Sequence, residues 1–189
     1  DQVFISVAYA GLNVKLIGSD PGVAAEMNGG THMSFEDVAL MRTIPTMTVV
    51  EPCDCAQLRQ AVKAMLEVKG PVYLRLYRKK PHKIYEDGCR FSLGRADCLT
   101  QGRDATVIAA GMMVWNALQA AEQLNQEGIH LRVLNMHTIK PLDKAAIILA
   151  AQETGAIVTA ENANYFNGLG SGGYCGKQPV CSFPAGGRS

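Results

Sequence analysis

His32 follows Asn28-Gly-Gly-Thr31 and precedes a helical stretch. A polar loop after a buried strand is where α/β sheets place ligand sites. Gly29 and Gly30 let the backbone approach a bound molecule closely. The competing reading is a structural histidine, and spacing alone leaves both open. Arg78 closes the run Leu74-Arg-Leu-Tyr-Arg78. A cation just beyond a strand end can hold a phosphate in a forked bond, although a solvated surface arginine fits the pattern equally. Lys79, Lys80, His82 and Lys83 read as a solvated basic linker. Glu36 and Asp37 are acids in a first helical turn, as the helix dipole alone favours. Gly168-Leu-Gly170-Ser-Gly-Gly173 fits the spacing G-x-G-x-x-G, but no helical period follows it, so the phosphate-binding context is missing. Cys53-Asp-Cys55 is too tight for a zinc knuckle, and no second pair stands at ligand spacing. The six cysteines read as reduced thiols.

These residues need elements to position them. Asn13–Gly18 reads as a short buried strand, and 19–31 as a loop rich in Pro and Gly. Ser34 is placed to cap a helix over Ser34–Arg42. Met47–Val50 is a strand. Asp54 caps a helix over Cys55–Val68, with Leu58, Ala61, Val62, Met65 and Leu66 on one face. Val72–Leu76 is a β-rich run after the Gly70-Pro71 turn. Residues 79–90 break the rhythm as a linker. A second unit follows, with strands at Thr106–Ala110, Leu131–Asn135 and Ala156–Ala160. Its helices are Val114–Glu127 and Lys144–Thr154, the latter capped by Asp143. Strands alternating with helices imply an α/β chain of two units with mainly parallel sheets.

Composition bounds the function. The chain has 189 residues, enough for one domain or two small ones, and 48% hydrophobic against 19% charged residues excludes disorder. Eighteen basic and 17 acidic residues leave a formal charge of +1, which argues against nucleic-acid binding and polybasic membrane attachment. No apolar run approaches the roughly 18 residues of a membrane span. The first residue is Asp1, with no signal peptide, so a cytoplasmic setting and a fragment of a longer chain are expected.

The run Gly29-Gly-Thr-His32-Met-Ser-Phe-Glu36-Asp-Val-Ala-Leu-Met-Arg42 resembles the C-terminal half of transketolase, and most of all transketolases split into two subunits. Met47-Thr-Val-Val-Glu-Pro-Cys-Asp54 and Gly70-Pro-Val-Tyr-Leu-Arg-Leu-Tyr-Arg78 resemble that family's pyrimidine-binding domain. Thr138-Ile-Lys-Pro-Leu-Asp143 and Thr154-Gly-Ala-Ile-Val-Thr-Ala-Glu161 resemble its C-terminal domain. The resemblance implies a truncated pyrimidine-binding domain over 1–78 and a Rossmann-like C-terminal domain over 91–171. It implies a thiamine-diphosphate enzyme passing a two-carbon ketol unit between sugar phosphates. An N-terminal subunit would bind the diphosphate through Mg or Ca, in a homodimeric or heterotetrameric assembly, with no metal ligand in this chain. His32 takes the place of the family's active-site histidine, which contacts substrate hydroxyls, and Arg78 that of a sugar-phosphate arginine. Relatives sharing these domains set the alternatives: a 2-oxoacid dehydrogenase beta subunit, a deoxyxylulose-phosphate synthase, or a non-catalytic assembly subunit.

Departures from the family sharpen the expectation. Asp20 stands where transketolases carry a histidine, and Met27-Asn28 where they carry Glu-Asp. Asp20 would repel a phosphate, and Asn28 both donates and accepts hydrogen bonds, so an altered sugar preference follows. The family's catalytic glutamate and its pyrimidine-stacking aromatic would lie upstream of Asp1, so the polypeptide alone is expected to be inactive. After Ser171 the family continues as a helix and a Pro-Val-Pro strand. Here Gly172-Gly-Tyr-Cys-Gly-Lys-Gln-Pro-Val180 follows. Back-translation read one base along allows Ala-Val-Ile-Ala-Glu-Asn-Ser-Pro-Ser-Val-Pro-Phe. A single-base frameshift just after Ser171 is expected, making 172–189 an out-of-frame tail in which Cys175 and Cys181 carry no selected function.

Overall fold

The structure is a computed structural model that describes residues 1–173 and 180–184. The strands are β1 (Lys15–Ser19), β2 (Thr48–Val50), β3 (Val72–Leu76), β4 (Asp97–Thr100), β5 (Ala105–Ala109), β6 (Leu131–Asn135), β7 (Thr138–Lys140), β8 (Ile157–Glu161) and β9 (Val180–Pro184). The α-helices are α1 (Asp37–Thr43), α2 (Cys55–Glu67), α3 (Met113–Gln126), α4 (Lys144–Glu153) and α5 (Leu169–Gly173). One sheet runs in the order β1-β3-β2-β7, the other β4-β6-β5-β8-β9. Among the described residues only the β2–β7 and β4–β6 pairs are antiparallel, so the expected α/β class with two mainly parallel sheets is what the chain adopts.

The two units are less separate than the sequence suggests. β7 comes from the second unit but pairs with β2 of the first, and its three residues are too short to show a period. One apolar cluster joins Val38, Met47, Val49 and Tyr73 of the first unit to Ile108, Leu134, Met136, Ile139 and Leu169 of the second. The expected linker is fastened. The Asp54 carboxylate caps α2 through the Gln57 N–H (2.8 Å), and its other oxygen accepts the N–H groups of Ile84 and Tyr85 (2.8 and 2.7 Å).

Several local expectations change. Residues Val3–Tyr9 form a wide π-type helical segment, and Gly22–Asn28 a 3-10 segment inside the expected loop. The next helix starts at Asp37, not Ser34, and no side chain caps it. Asp143 does cap α4, through the Ala146 N–H at 3.0 Å. The glycine run itself forms the short helix α5, and the Glu161 carboxylate already fills its N-terminus by accepting the N–H groups of Leu169 (2.7 Å) and Gly170 (3.0 Å), while residues 174–179 that follow the run lie outside the described residues. A resident carboxylate therefore takes the place that the glycine spacing would offer to a phosphate. Most of the expected out-of-frame tail lies outside the described residues. Of it, the backbone of Val180–Pro184 lies parallel to β8.

Candidate functional site

β1 and β3 are parallel neighbours in register, with Ser19 opposite Leu76, so the chain leaves both at one edge. The carboxyl ends of parallel strands are where α/β folds present binding groups. Asp20 sits there with φ +59°, a left-handed conformation that Asp tolerates better than most residues. Its N–H donates to Leu76 O (2.8 Å), and its Oδ1 accepts the Arg78 N–H (2.9 Å). Its second oxygen forms an ion pair with Arg78 Nε. The Asp20 side chain is nearly buried, whereas that of Arg78 is 68% exposed. The structure thus unites two residues that lie far apart in the sequence. Asp20 is the partner of Arg78 and not only a repulsive charge.

The segment after Asp20 forms a loop whose base is pinned. Gly22 N–H donates to Ser34 O (2.7 Å), and Val23 N–H to Asn162 Oδ1 (3.0 Å). Asn162 Nδ2 in turn donates to Pro21 O (2.9 Å). Gly22 has φ +50°, and a Cβ there would come within 2.3 Å of Asn162 Oδ1, so both the turn and the close approach require glycine. The loop tip is exposed. Asn28 ends the 3-10 segment, and His32 Nδ1 lies 2.9 Å from Thr31 Oγ1 while the His32 N–H donates to Gly29 O. Neither side chain is hydrogen-bonded to the Asp20–Arg78 pair among the described residues. Glu26, on the same segment, forms an ion pair with Lys79.

Behind this edge lies a buried charge cluster that the sequence pattern does not signal. Arg75 is fully buried and directs its whole guanidinium inward. Nε and Nη2 fork onto Asp37 (2.8 and 2.9 Å), Nη1 donates to Glu51 (2.9 Å), and Nη2 also donates to Asn162 O (2.8 Å). Tyr73 OH donates to Asp37 at 2.7 Å. Burial alone would raise the Asp37 pKa, but the hydrogen bonds and charge of Arg75 outweigh it and hold the group below its ordinary value. Burial pushes Glu51 up, more than Arg75 pulls it back. A second polar group crosses the junction, where Tyr85 OH donates to Asp97 (2.6 Å) and Asn135 Nδ2 donates to Tyr85 OH (3.0 Å). His137 lies against Phe91, its Nε2 without a hydrogen-bond partner and 3.9 Å from Asp97. Burial lowers its pKa to about 4.

The crevice of the second sheet is closed by the first unit. Its strand order reverses around β5, which puts the topological switch between β5 and β8. There Gly111, at φ +53°, packs so closely on Glu51 that a Cβ would fall 2.3 Å from Oε1. The switch-point crevice is thereby filled, and Asp20 and Arg78 stand instead at the β1–β3 edge. Among the described residues, no group of three His, Cys, Asp or Glu side chains converges on a metal site. Cys53 is buried, its thiol pushed up chiefly by burial, while Cys55 stands exposed at the start of α2, and both are free thiols.

Comparison with known proteins places this arrangement. Residues 1–82 match the family described as "Transketolase, pyrimidine binding domain", and residues 94–172 match "Transketolase, C-terminal domain". The chain belongs to the transketolase family. It is 57% identical over 171 residues to a 6-deoxy-6-sulfo-D-fructose transketolase subunit, SqwH, of Clostridium sp. (strain MSTE9), covering 90% of this chain and 53% of that protein. It is 45% identical over 172 residues to one of the apulose-4-phosphate transketolase subunits of Phocaeicola vulgatus, covering 90% and 55%. This transketolase-family chain thus spans about half the length of the curated relatives it matches. A solved structure described as "Split gene transketolase, inactive beta4 tetramer" superposes with TM-score 0.89 at 39% identity, over 96% of this chain and 60% of that one. No helix among the described residues is long and apolar enough to cross a membrane.

Proposed function

We propose that this chain is the C-terminal part of a two-subunit transketolase, and that the complete enzyme moves a two-carbon ketol unit from a ketose to an aldose. The observation that supports this most is the conjunction of two transketolase domains in order with an open polar edge, where Asp20, Arg78 and the His32 loop follow β1 and β3. Thiamine diphosphate, when bound, supplies the electron sink of the reaction. By the family resemblance, the diphosphate and a Mg or Ca ion are assigned to the N-terminal subunit. This chain supplies grip and orientation. His32 bonds hydroxyls beside the reacting carbon, Asn28 donates to and accepts from the sugar, and Arg78 takes the terminal anion with Asp20 orienting it. The named subunits among the relatives and the tetramer in the solved neighbour support a heteromeric assembly. The free thiols suit a reducing cytoplasm.

The relatives differ in the terminal anion that their names carry, a sulfonate in one and a phosphate in the other. Both are placed at the Arg78 edge in this reading. The 172–189 segment is proposed to be out of frame, in keeping with the C-terminal domain match ending at residue 172. Resequencing the DNA there decides that point. For the activity, the complete gene product is produced with the N-terminal subunit, thiamine diphosphate and Mg. Cofactor-dependent transfer from a ketose to an aldose phosphate is the expected result, and His32→Ala should lower kcat by about tenfold or more. Assembly without transfer from any ketose overturns the reading in favour of a non-catalytic subunit.

A further inference from the structure

Three consecutive cations, Arg78, Lys79 and Lys80, follow β3, and the first two are each met by a carboxylate from the segment after β1, Asp20 for Arg78 and Glu26 for Lys79. The two cations nearest the strand end are therefore already neutralised before any ligand arrives. The two pairs differ in rigidity. Asp20 is 8% exposed, and it is held by its own N–H on Leu76 O and by the Arg78 N–H on Oδ1. Its charge cannot swing aside when an anion binds. Arg78 gives Nε to Asp20 while 68% of its side chain stays exposed. A guanidinium can serve two planar acceptors along different edges, so the carboxylate and a ligand can share it.

We propose that Asp20 sets the charge of the sugar terminus the site accepts, favouring a singly charged sulfonate over a phosphate monoester. The proposal rests on the transketolase reading above. A sulfonate carries one charge at all ordinary pH, whereas a phosphate monoester carries roughly 1.5 to 2 near pH 7. Both gain the attraction of Arg78. The extra charge of the phosphate also meets the fixed carboxylate on the other side of the same guanidinium, at a separation where one unit of charge still matters in a partly buried setting. Glu26 adds a weaker, exposed and more screened contribution of the same sign.

Asp20→Asn is the clean probe. Asn keeps an oxygen for the Arg78 N–H and tolerates the left-handed backbone, so only the charge is removed. In the assembled two-subunit enzyme, kcat/KM is measured for 6-deoxy-6-sulfofructose, fructose 6-phosphate and the uncharged ketose erythrulose. The wild type should favour the sulfonate. Asp20→Asn should move the phosphate-to-sulfonate ratio up by ~10-fold, and Glu26→Gln by about twofold in the same direction, with the change in erythrulose turnover serving as the reference for effects that do not depend on the terminal anion. A wild-type preference for phosphate, or a ratio that Asp20→Asn leaves unmoved while erythrulose still turns over, overturns the charge-selection proposal alone. No turnover with any of the three donors overturns the transketolase reading itself. A thermal melt of each variant alongside the wild type shows whether the fold is intact.

Discussion

Arg75 and Arg78 stand three residues apart, one within β3 and one just past it, and both face carboxylates. Arg75 is wholly buried, and each of its guanidinium nitrogens donates inside the protein. Arg78 is mostly exposed and gives only part of its donor set to Asp20. The first is a bolt between the two units, joining Asp37 and Glu51 of one to the Asn162 backbone of the other. The second leaves most of its side chain open to solvent, as the proposed binding role requires. Residue type and local partner are shared, so what separates the two arginines is how many donors burial has already engaged.

The most severe way to break the comparison is Arg75→Met. It strands Glu51 and Asp37 without their cation, and removing one member of a buried ion pair costs about 3–5 kcal/mol. Urea denaturation should show a loss of that size, and adding Glu51→Leu should recover part of it. The same junction also has an acid-sensitive group. The folded pKa of His137 is depressed to about 4, below the unfolded value of 6.5. The unfolded chain then binds the extra proton first, so the stability that neutral His137 preserves is present above pH 6.5 and is lost as pH falls toward 4. From about pH 7 to about pH 5 the loss should be about 2 kcal/mol, and His137→Phe should flatten the profile over that window. Tyr73→Phe removes one hydrogen bond to Asp37 but leaves the Arg75 fork, so a loss of about 1 kcal/mol is expected in the same denaturation. Arg78→Ala should barely move the denaturation midpoint, by less than about 1 kcal/mol for so exposed a pair. Its effect should appear as a raised KM for anionic sugars. A large stability loss in Arg78→Ala would erase the distinction between the two arginines.

The open edge was easier to see in the sequence than the buried bolt, for a physical reason. Arg78 lay past a strand end, and His32 followed two glycines, so both stood out as loop residues. Arg75 sat inside an apolar run, where a charge looks like the polar face of a half-buried strand. Asp37 was explained by the helix dipole, although its carboxylate is the principal acceptor of Arg75. Glu51 followed a strand with no pattern around it. Long-range pairing of this kind leaves no local period. The major helices and central strands were legible because their apolar faces repeat over many residues, and both Asp54 and Asp143 act as the caps their spacing suggested. The short strands β4 and β7 and the 3-10 segment were not, since each is only a few residues long and is set by its neighbours.

β7 has a consequence for how the polypeptide holds together in time. Three residues of the second unit form a strand against β2 of the first, beside an apolar cluster to which both units contribute. Pulling the units apart means tearing a sheet, so the chain should lose its structure in one cooperative step, with amide protons on both sides exchanging at the same rate. A gene cut at the linker would leave β2 with an unpaired flank, a ready template for self-association. The seam that looks like the natural place to divide this protein is therefore one of the places least able to tolerate it.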